Sequence, residues 1–308
     1  MSKHKKSIIT LLLGGAGDKF ILFAQGILLV PIYLDTIGVE VYGYWLATGG
    51  ILAWLGAFDM RMAVVINQKI SALLGRGEEH KVARTFSSGL GAFGLILMPL
   101  IPIALVSFTP LANFLGLPDD LRSDFYLAYV YSAFGLMLSF VTSALAALPK
   151  GLLMPTFPVV IHFLCGLVQI VAVVYFLYSG FGVIAIGFAV FLRFLLSAII
   201  NLYYSISLCF KSEYGSGDWF PSFALIREYT SVMPPMFFSR LTTGLVSKIE
   251  PTIILRYLGP ELAAAYSITK SAATVLTGLV NSVTASVFPS FATVCGGFDR
   301  ERIEEAFF

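Results

Sequence analysis

The sequence predicts an all-α integral membrane protein, a polytopic bundle of eight spanning helices. Hydrophobic residues make up 57% of the 308 residues and charged residues only 12%, more apolar than the core of a soluble domain of this size requires. Apolar runs of about 20 residues or more, the length that crosses a bilayer, alternate with short connections marked by glycine, proline and charge. These connections leave no room for a domain outside the membrane.

Each span is bounded by such a connection. In chain order the spans are predicted at 8–34, 42–72, 86–111, 123–147, 153–178, 182–210, 223–256 and 262–291. The basic start, Met1 to Lys6, leads into an apolar run without a small-residue cleavage site, which is typical of a spanning helix rather than a removed signal peptide. The three cysteines lie far apart in apolar sequence and are expected to be packing thiols, with no disulfide or metal site.

Lysine and arginine are distributed unequally between the two sides of this topology. If the N-terminus is cytoplasmic, Arg122 and Arg256 are the basic residues of the outer turns. The inner segments then hold Lys3, Lys5, Lys6, Arg76, Lys81, Arg84, Lys150, Lys211, Arg227, Arg300 and Arg302. The positive-inside rule therefore predicts a cytoplasmic N-terminus.

A displacement of 221 residues lays the first two spans over the seventh and eighth. The segment "IYLDTIGVEVYGYW" (32–45) then aligns with "IILRYLGPELAAAY" (253–266), which pairs Gly38 with Gly259. Equivalent points of the two copies are six spans apart. Because six is even, both copies have the same orientation, and the halves are expected to be related by an axis along the membrane normal.

The repeat predicts the division of the chain into a six-helix N-terminal lobe (1–210), a cytoplasmic linker (211–222) and a partial C-terminal lobe (223–308). The partial lobe holds spans seven and eight and the start of a ninth, since Phe307 corresponds to Phe86, where the third span begins. The chain is therefore interpreted as C-terminally truncated. The alternative is an eight-helix protein that ends at this point.

Six of the spans carry polar residues on one helical face. Nine of the charged residues inside these spans are expected to be buried in the membrane: Asp18, Lys19, Asp59, Arg61, Arg193, Arg240, Lys248, Glu250 and Lys270. Facing lipid, each would cost roughly 2.5–3.5 kcal/mol. They are therefore expected to line a shared hydrated passage, although ion pairs between helices are the alternative for any single residue. His162 is open to both a structural and a proton-carrying interpretation.

The sign of these charges indicates an anionic substrate. Six of the nine are basic, and the fork of arginine and the compact charge of lysine both suit phosphate. The candidate substrate-binding residues are Arg193, Arg240, Lys248, Lys270 and Asn281. The candidate cation sites or counter-charges are Asp18, Asp59 and Glu250. No catalytic residue and no metal site is predicted.

The stretch "PIYLDTIGVEVYGYWLATGGILAWLGAFDM" (31–60) resembles the polysaccharide and O-antigen flippases of the multidrug/oligosaccharidyl-lipid/polysaccharide exporter superfamily. The Gly-Arg-Gly-Glu loop at 75–78 continues the resemblance. It implies the exporter-superfamily fold, with two six-helix lobes, a central cavity lined mainly by helices 1, 2, 7 and 8, and alternating access. One departure is Arg61. Similar proteins often have the pattern Asp-x-Gly where this chain has Asp59-Met60-Arg61.

The resemblance implies a transporter of an undecaprenyl-diphosphate-linked oligosaccharide in the bacterial cytoplasmic (inner) membrane. It moves the lipid-linked sugar to the outer leaflet for surface polysaccharide synthesis, without a cofactor, coupled to a Na⁺ or H⁺ gradient. The expected partners are this substrate, the bilayer and other polysaccharide assembly proteins, and not nucleic acid.

Three alternatives remain open. A cationic-drug exporter of the same superfamily is expected to have an acid-dominated cavity. A membrane polysaccharide polymerase or ligase, the enzymatic alternative, is expected to have a large outer loop with catalytic arginine or histidine. The third is an inactive fragment. Because the sequence lacks a Gly-x-x-x-x-Gly-Lys-Ser/Thr loop, ATP hydrolysis within this chain is disfavoured.

Overall fold

The computed structural model describes residues 10, 13–17, 19–21, 23–59, 62–211, 219–271, 273–274 and 276–278. Residues 50, 51, 53, 54, 57, 96, 210, 211, 236, 239–241 and 243–248 are described in their backbone only. The described residues form an all-helical bundle, and no strand occurs among them. In chain order the helices are α1 (Leu13–Leu28), α2 (Val30–Leu55), α3 (Met62–Gly75), α4 (Val82–Leu115), α5 (Arg122–Gly151), α6 (Thr156–Tyr178), α7 (Ile184–Lys211), α8 (Phe223–Lys248), α9 (Glu250–Leu258) and α10 (260–278).

Four of the described helices are long and apolar enough to cross a membrane on their own. They are α5 and α6, α4 with its preceding turn, and α7 as far as Cys209. These helices coincide with the spans predicted at 86–111, 123–147, 153–178 and 182–210. A fifth candidate is α1 together with the first part of α2, a pair bent by 49°. The chain is thus a multi-pass membrane protein in its described part.

The spans predicted at 42–72, 223–256 and 262–291 do not appear as single long apolar helices in the described residues. A 3₁₀ turn, Gly56–Asp59, separates α2 from α3. The region 223–256 is divided between α8 and α9, and the eighth predicted span extends beyond the described part of α10. The number of eight spans, the division into lobes and the truncation stay predictions.

Proline interrupts the helices at two equivalent places of the repeat. α1 ends at Leu28 and α2 restarts with Pro31 as its second residue, whereas α8 ends at Lys248 and α9 restarts with Pro251 as its second residue. Proline has no N–H to donate to the preceding turn but fits the start of a helix well. In both copies the backbone N–H two residues after the proline donates to the carbonyl two residues before it. The repeat therefore reproduces local backbone structure as well as sequence.

The paired glycines Gly38 and Gly259 adopt the same rare conformation. Gly38 has φ 79° and ψ 161°, and Gly259 has φ 91° and ψ 170°. Only glycine occupies this region readily, because a Cβ atom would clash with the backbone there. Each glycine reverses the chain between two helices, Gly38 inside α2 and Gly259 between α9 and α10. The conserved loop geometry that the displacement of 221 residues predicted is present.

The two helix pairs meet close to these glycines. Gly43 of α2 lies directly against the backbone of Pro260 in α10, so that a side chain at position 43 would overlap the Pro260 carbonyl. Nearby, Thr252 of α9 donates a hydrogen bond of 3.1 Å to the carbonyl of Ala47. Thr252 and Ala47 are buried, and the contact therefore fixes α2 against α9 and α10 at this end of the bundle.

We expect Gly38→Ala and Gly259→Ala each to destabilise the protein by about 1–3 kcal/mol, because alanine would be forced into a glycine-only conformation. Thermal unfolding of the purified protein in detergent measures the effect as a lower midpoint temperature. Gly49→Ala is the matched control, since Gly49 is helical and has open space around its Cα atom. A Gly38→Ala midpoint equal to that of Gly49→Ala would contradict the expectation.

Candidate functional site

Small residues allow α1 to lie close to α6. A Cβ atom at Gly17 would lie 2.9 Å from the ring of Phe163, and one at Gly166 would lie 3.0 Å from Ile21. Gly14 is in similarly close contact with Val159. Such glycines bring helix backbones together in membranes. The polar face predicted for the first span is therefore next to α6, which carries His162 and Gln169.

On another side, α1 packs against α10. The side chain of Lys19 crosses Gly278, where an added Cβ atom would lie 2.8 Å from its Cε and 2.9 Å from its Nζ. About two turns further along α1, a Cβ atom added at Gly26 would lie 3.5 Å from the side chain of Ser271. A lysine ammonium is thus held at the contact between the first helix and the last described helix.

A second charged group, a cluster of Glu250, Lys270 and Tyr266, lies between α9 and α10, at a contact that we call the seam. The Glu250 carboxylate at the start of α9 accepts hydrogen bonds from the Lys270 ammonium and the Tyr266 hydroxyl of α10. The ammonium also lies 5.7 Å from the centre of the Tyr266 ring. The side chains of Lys270 and Glu250 are 31% and 41% exposed, so that this ion pair remains accessible to a ligand.

At the far end of α3, α8 makes a polar contact with α3 and α4. Lys69 of α3 forms an ion pair of 2.8 Å with Glu228 of α8 and lies 4.2 Å from the centre of the Tyr229 ring. Tyr229 is fully buried and donates a hydrogen bond of 3.2 Å to the carbonyl of Thr85 in α4. We call Lys69, Thr85, Glu228 and Tyr229 the inner contact, because the distribution of lysine and arginine predicts that it lies toward the cytoplasmic side.

A third polar group lies between α6 and α7. Arg193 donates to the side-chain oxygen of Gln169 at 3.1 Å, and its second terminal nitrogen lies 2.9 Å from His162 Nε2. The guanidinium carbon is 5.1 Å from the centre of the Phe194 ring. Gln169 is buried, and Arg193 and His162 are half-buried. The arginine charge is therefore held inside the bundle rather than directed to lipid.

Some of the predicted site residues lie in these clusters, and others lie outside the part of the chain whose side chains are described. Arg193, Lys270 and Glu250 lie in the clusters above, and Asp59 is half-buried in the 3₁₀ turn between α2 and α3. For Arg240 and Lys248 only the helical backbone of α8 is described. Asp18 and Asn281 lie outside the described residues.

An apolar crevice elsewhere in the described part of the chain is lined by other side chains, among them Phe86, Leu90, Leu145, Leu202, Ile206 and Trp219.

Sequence reasoning missed two features of these clusters. It assigned Glu250 and Lys270 separate roles, whereas the structure joins them and adds Tyr266, which lies one turn from Lys270 on the same face of α10. It also passed over Lys69 and Glu228, which are 159 positions apart in the sequence. No sequence pattern links these residues, because their contact depends on how the helices pack.

A sequence profile described as "Polysaccharide biosynthesis protein" matches residues 5–294 of the chain. The sequence comparison with curated proteins finds no match. Solved structures with the same fold include an outward-facing multidrug resistance MATE family transporter of the MOP superfamily. Its TM-score is 0.76 at 16% identity, over 99% of this chain and 68% of that one.

Two further structures have the same fold. A MOP superfamily transporter from Pyrococcus furiosus, whose binding pocket is described as having reverse polarity, has a TM-score of 0.76 at 15% identity, over 99% of this chain and 67% of that one. The MATE multidrug transporter DinF-BH, solved as a complex, has a TM-score of 0.74 at 14% identity, over 95% and 67%. These structural similarities establish the fold, and the match to the sequence profile establishes the family to which the chain belongs.

The inner contact predicts a charge-exchange result. Lys69→Glu or Glu228→Lys places like charges side by side and is expected to loosen α8 from α3, by about 0.2–1 kcal/mol for a pair this exposed. The exchange of both charges is expected to restore the contact. Spin labels at the exposed positions 76 and 227 measure the result, because a longer distance is expected to appear in each single variant and to disappear in the double variant.

The ion pair of Lys81 with Glu78 is the matched control. It has a similar length, 3.0 Å, but lies within one turn, where the hydrogen bond from Lys81 lowers the pKa of the Glu78 carboxyl. Its exchange is expected to leave the labels where they are. If the double variant at 69 and 228 keeps the longer distance, the ion pair does not hold the inner contact.

Proposed function

The chain belongs to the polysaccharide biosynthesis protein family, and from this we propose that it carries an anionic lipid-linked oligosaccharide across the membrane by alternating access. The observation that carries the proposal is the family match over residues 5–294 in a chain with a transporter fold. Cations held inside the bundle, Lys19, Arg193 and Lys270, add the chemistry that a diphosphate head group needs.

The exposed ion pair supports a role for Lys270 in binding. An entering phosphate competes with Glu250 for the Lys270 ammonium, since this ion pair between α9 and α10 is partly exposed. Apolar surface on the outside of α6 and α7 suits the lipid chain, which stays in the bilayer while the head group crosses. We assign the substrate class to an undecaprenyl-diphosphate-linked sugar by the family resemblance, with coupling to a cation gradient.

Two separate contacts support alternating access. The inner contact joins α8 to α3 and α4 at one end, and Gly43 and Thr252 join α2 to α9 and α10 at the other. A carrier of this kind opens one end while the other stays closed. The distribution of lysine and arginine supports a cytoplasmic N-terminus and export from the inner leaflet.

A drug exporter is the second candidate function, because two of the structures with this fold are multidrug transporters. For a cationic substrate the binding group would be an acid, and Glu250 is the acid that the seam offers. The two candidates therefore assign opposite importance to the two members of one ion pair.

The experiment compares Lys270→Gln with Glu250→Gln in cells that lack the endogenous protein. Lipid-linked sugar on the cytoplasmic face and surface polysaccharide are measured, together with efflux of a lipophilic cation. For the proposed function, Lys270→Gln is expected to lower sugar export about 10- to 100-fold, the value of one charge-assisted hydrogen bond. Lys270→Arg is expected to retain part of it, and Glu250→Gln most of it.

Lys81→Gln serves as the control for loss of a positive charge, because Lys81 is exposed in the loop before α4. The stability of either seam variant is expected to change little, since ion pairs this exposed contribute about 0–1 kcal/mol. Loss of cation efflux in Glu250→Gln, with sugar export unchanged in every variant, would replace the proposed function by the drug exporter.

A further inference from the structure

The contact between Arg193 and α6 fixes the chemical state of a histidine. Arg193 directs two of its nitrogens to this helix, Nη1 to Gln169 Oε1 at 3.1 Å and Nη2 to His162 Nε2 at 2.9 Å. The two acceptors are seven residues apart and therefore lie on one face of α6. The fork of the arginine thus spans two turns of the neighbouring helix.

A guanidinium carries only donors, and a hydrogen bond needs one acceptor. His162 Nε2 must therefore offer its lone pair, which makes the imidazole neutral with its proton on Nδ1. The same reasoning orients Gln169, whose oxygen rather than its nitrogen faces Arg193. In the imidazolium form both ring nitrogens are donors, so that His162 could no longer accept from Arg193 Nη2 and two positive charges would meet at 2.9 Å.

The other ionisable groups around His162 are few in the described residues. On α6 itself the buried thiol of Cys165 lies one turn away, and α7 contributes Arg193. Of the charges of α1, which packs on α6, Lys19 is directed to Gly278 of α10, and Asp18 lies outside the described residues. The imidazole and the guanidinium are in direct contact, so that a charge on the imidazole acts on the guanidinium at 2.9 Å.

We propose that His162 is a proton-operated positioning residue for Arg193. The neutral imidazole, with Gln169, holds the guanidinium against α6. Proton uptake by the imidazole removes its acceptor, repels the guanidinium and turns the arginine fork toward a negatively charged head group. This proposal rests on the proposed function, in which Arg193 meets the diphosphate, and it assigns to α6 and α7 a proton dependence of anion binding.

A stripe of buried polar residues continues along α7 from this pair. Ser197, Asn201 and Ser205 follow Arg193 at intervals of four residues and are all buried. The Asn201 amide nitrogen donates to the Ser197 carbonyl at 2.8 Å, whereas its side-chain oxygen has no protein donor among the described residues. An internal water would satisfy this buried amide oxygen, and Asn201 lies on the same face of α7 as Arg193.

Nitrogen NMR of the histidines tests the proposal without any substrate. The chain has three histidines, His4, His80 and His162, so that a variant with glutamine at 4 and 80 reports on His162 alone. At alkaline pH we expect a protonated Nδ1 and a hydrogen-bonded, unprotonated Nε2, and Arg193→Ala is expected to shift the Nε2 resonance. On acidification the arginine Nη2 resonance is expected to change together with the imidazole.

Binding of a short polyprenyl diphosphate measures the consequence. Wild-type affinity is expected to rise about tenfold between alkaline and acidic pH, the effect of one charge-assisted contact. His162→Gln retains an acceptor without a titrating proton and is expected to bind weakly and equally at both pH values. His162→Phe is expected to bind tightly at both. His80→Gln, the matched control, is expected to keep the wild-type profile, which also corrects for the ionisation of the probe.

The two readouts separate the proposals. An Nε2–H tautomer, or an arginine resonance that ignores the histidine titration, overturns the positioning role whether or not the protein binds lipid diphosphates. An identical pH dependence in wild type and His162→Gln overturns it as well. The expected NMR result in a protein that fails to bind the probe would support the positioning role and reject the lipid-linked substrate.

Discussion

The cost of placing charge in an apolar bundle is the constraint on which this structure depends. Helices as apolar as α4 to α7 have little capacity to hydrate an ionised side chain, so that each must find a partner within the protein or reach water. In the described residues Arg193 donates to Gln169 and contacts His162, and Lys270 pairs with Glu250. Both partners come from a neighbouring helix, and the charges therefore determine which helices are adjacent.

This requirement also explains the positions of the polar contacts. Lys270 and Glu250 join α10 to α9, the last two described helices, and Lys69 and Glu228 join α3 to α8. Each pair is partly exposed, which keeps its contribution to stability small and its exchange with a ligand or with water inexpensive. Contacts of this kind suit a protein that must break and remake them, whereas the dry pairs of a rigid core would oppose such motion.

The repeat shows how far sequence alone could predict the architecture. The pairing of Gly38 with Gly259 rested on few identities, yet both residues have the same glycine-only backbone and both follow a proline-induced break in the preceding helix. The family was also recognised correctly from residues 31–60, as the profile match confirms. The spans of α4 to α7 coincide with predicted ones, because their apolar runs are long and uninterrupted. Where proline or a 3₁₀ turn divides a run, hydropathy overestimated the continuity of the helix.

The sequence by itself determined that this is a multi-pass, all-helical protein of a transporter family, because hydropathy, turn residues and the repeat are properties of local sequence. Only the tertiary structure decided which charges meet. The partners Lys69 and Glu228, or Arg193 and His162, are 159 and 31 positions apart, and their contact depends on how α3 packs on α8 and how α6 packs on α7. Helical periodicity gives the face that a side chain occupies, whereas packing gives the atom that it touches, and here that atom fixes the protonation state of a histidine.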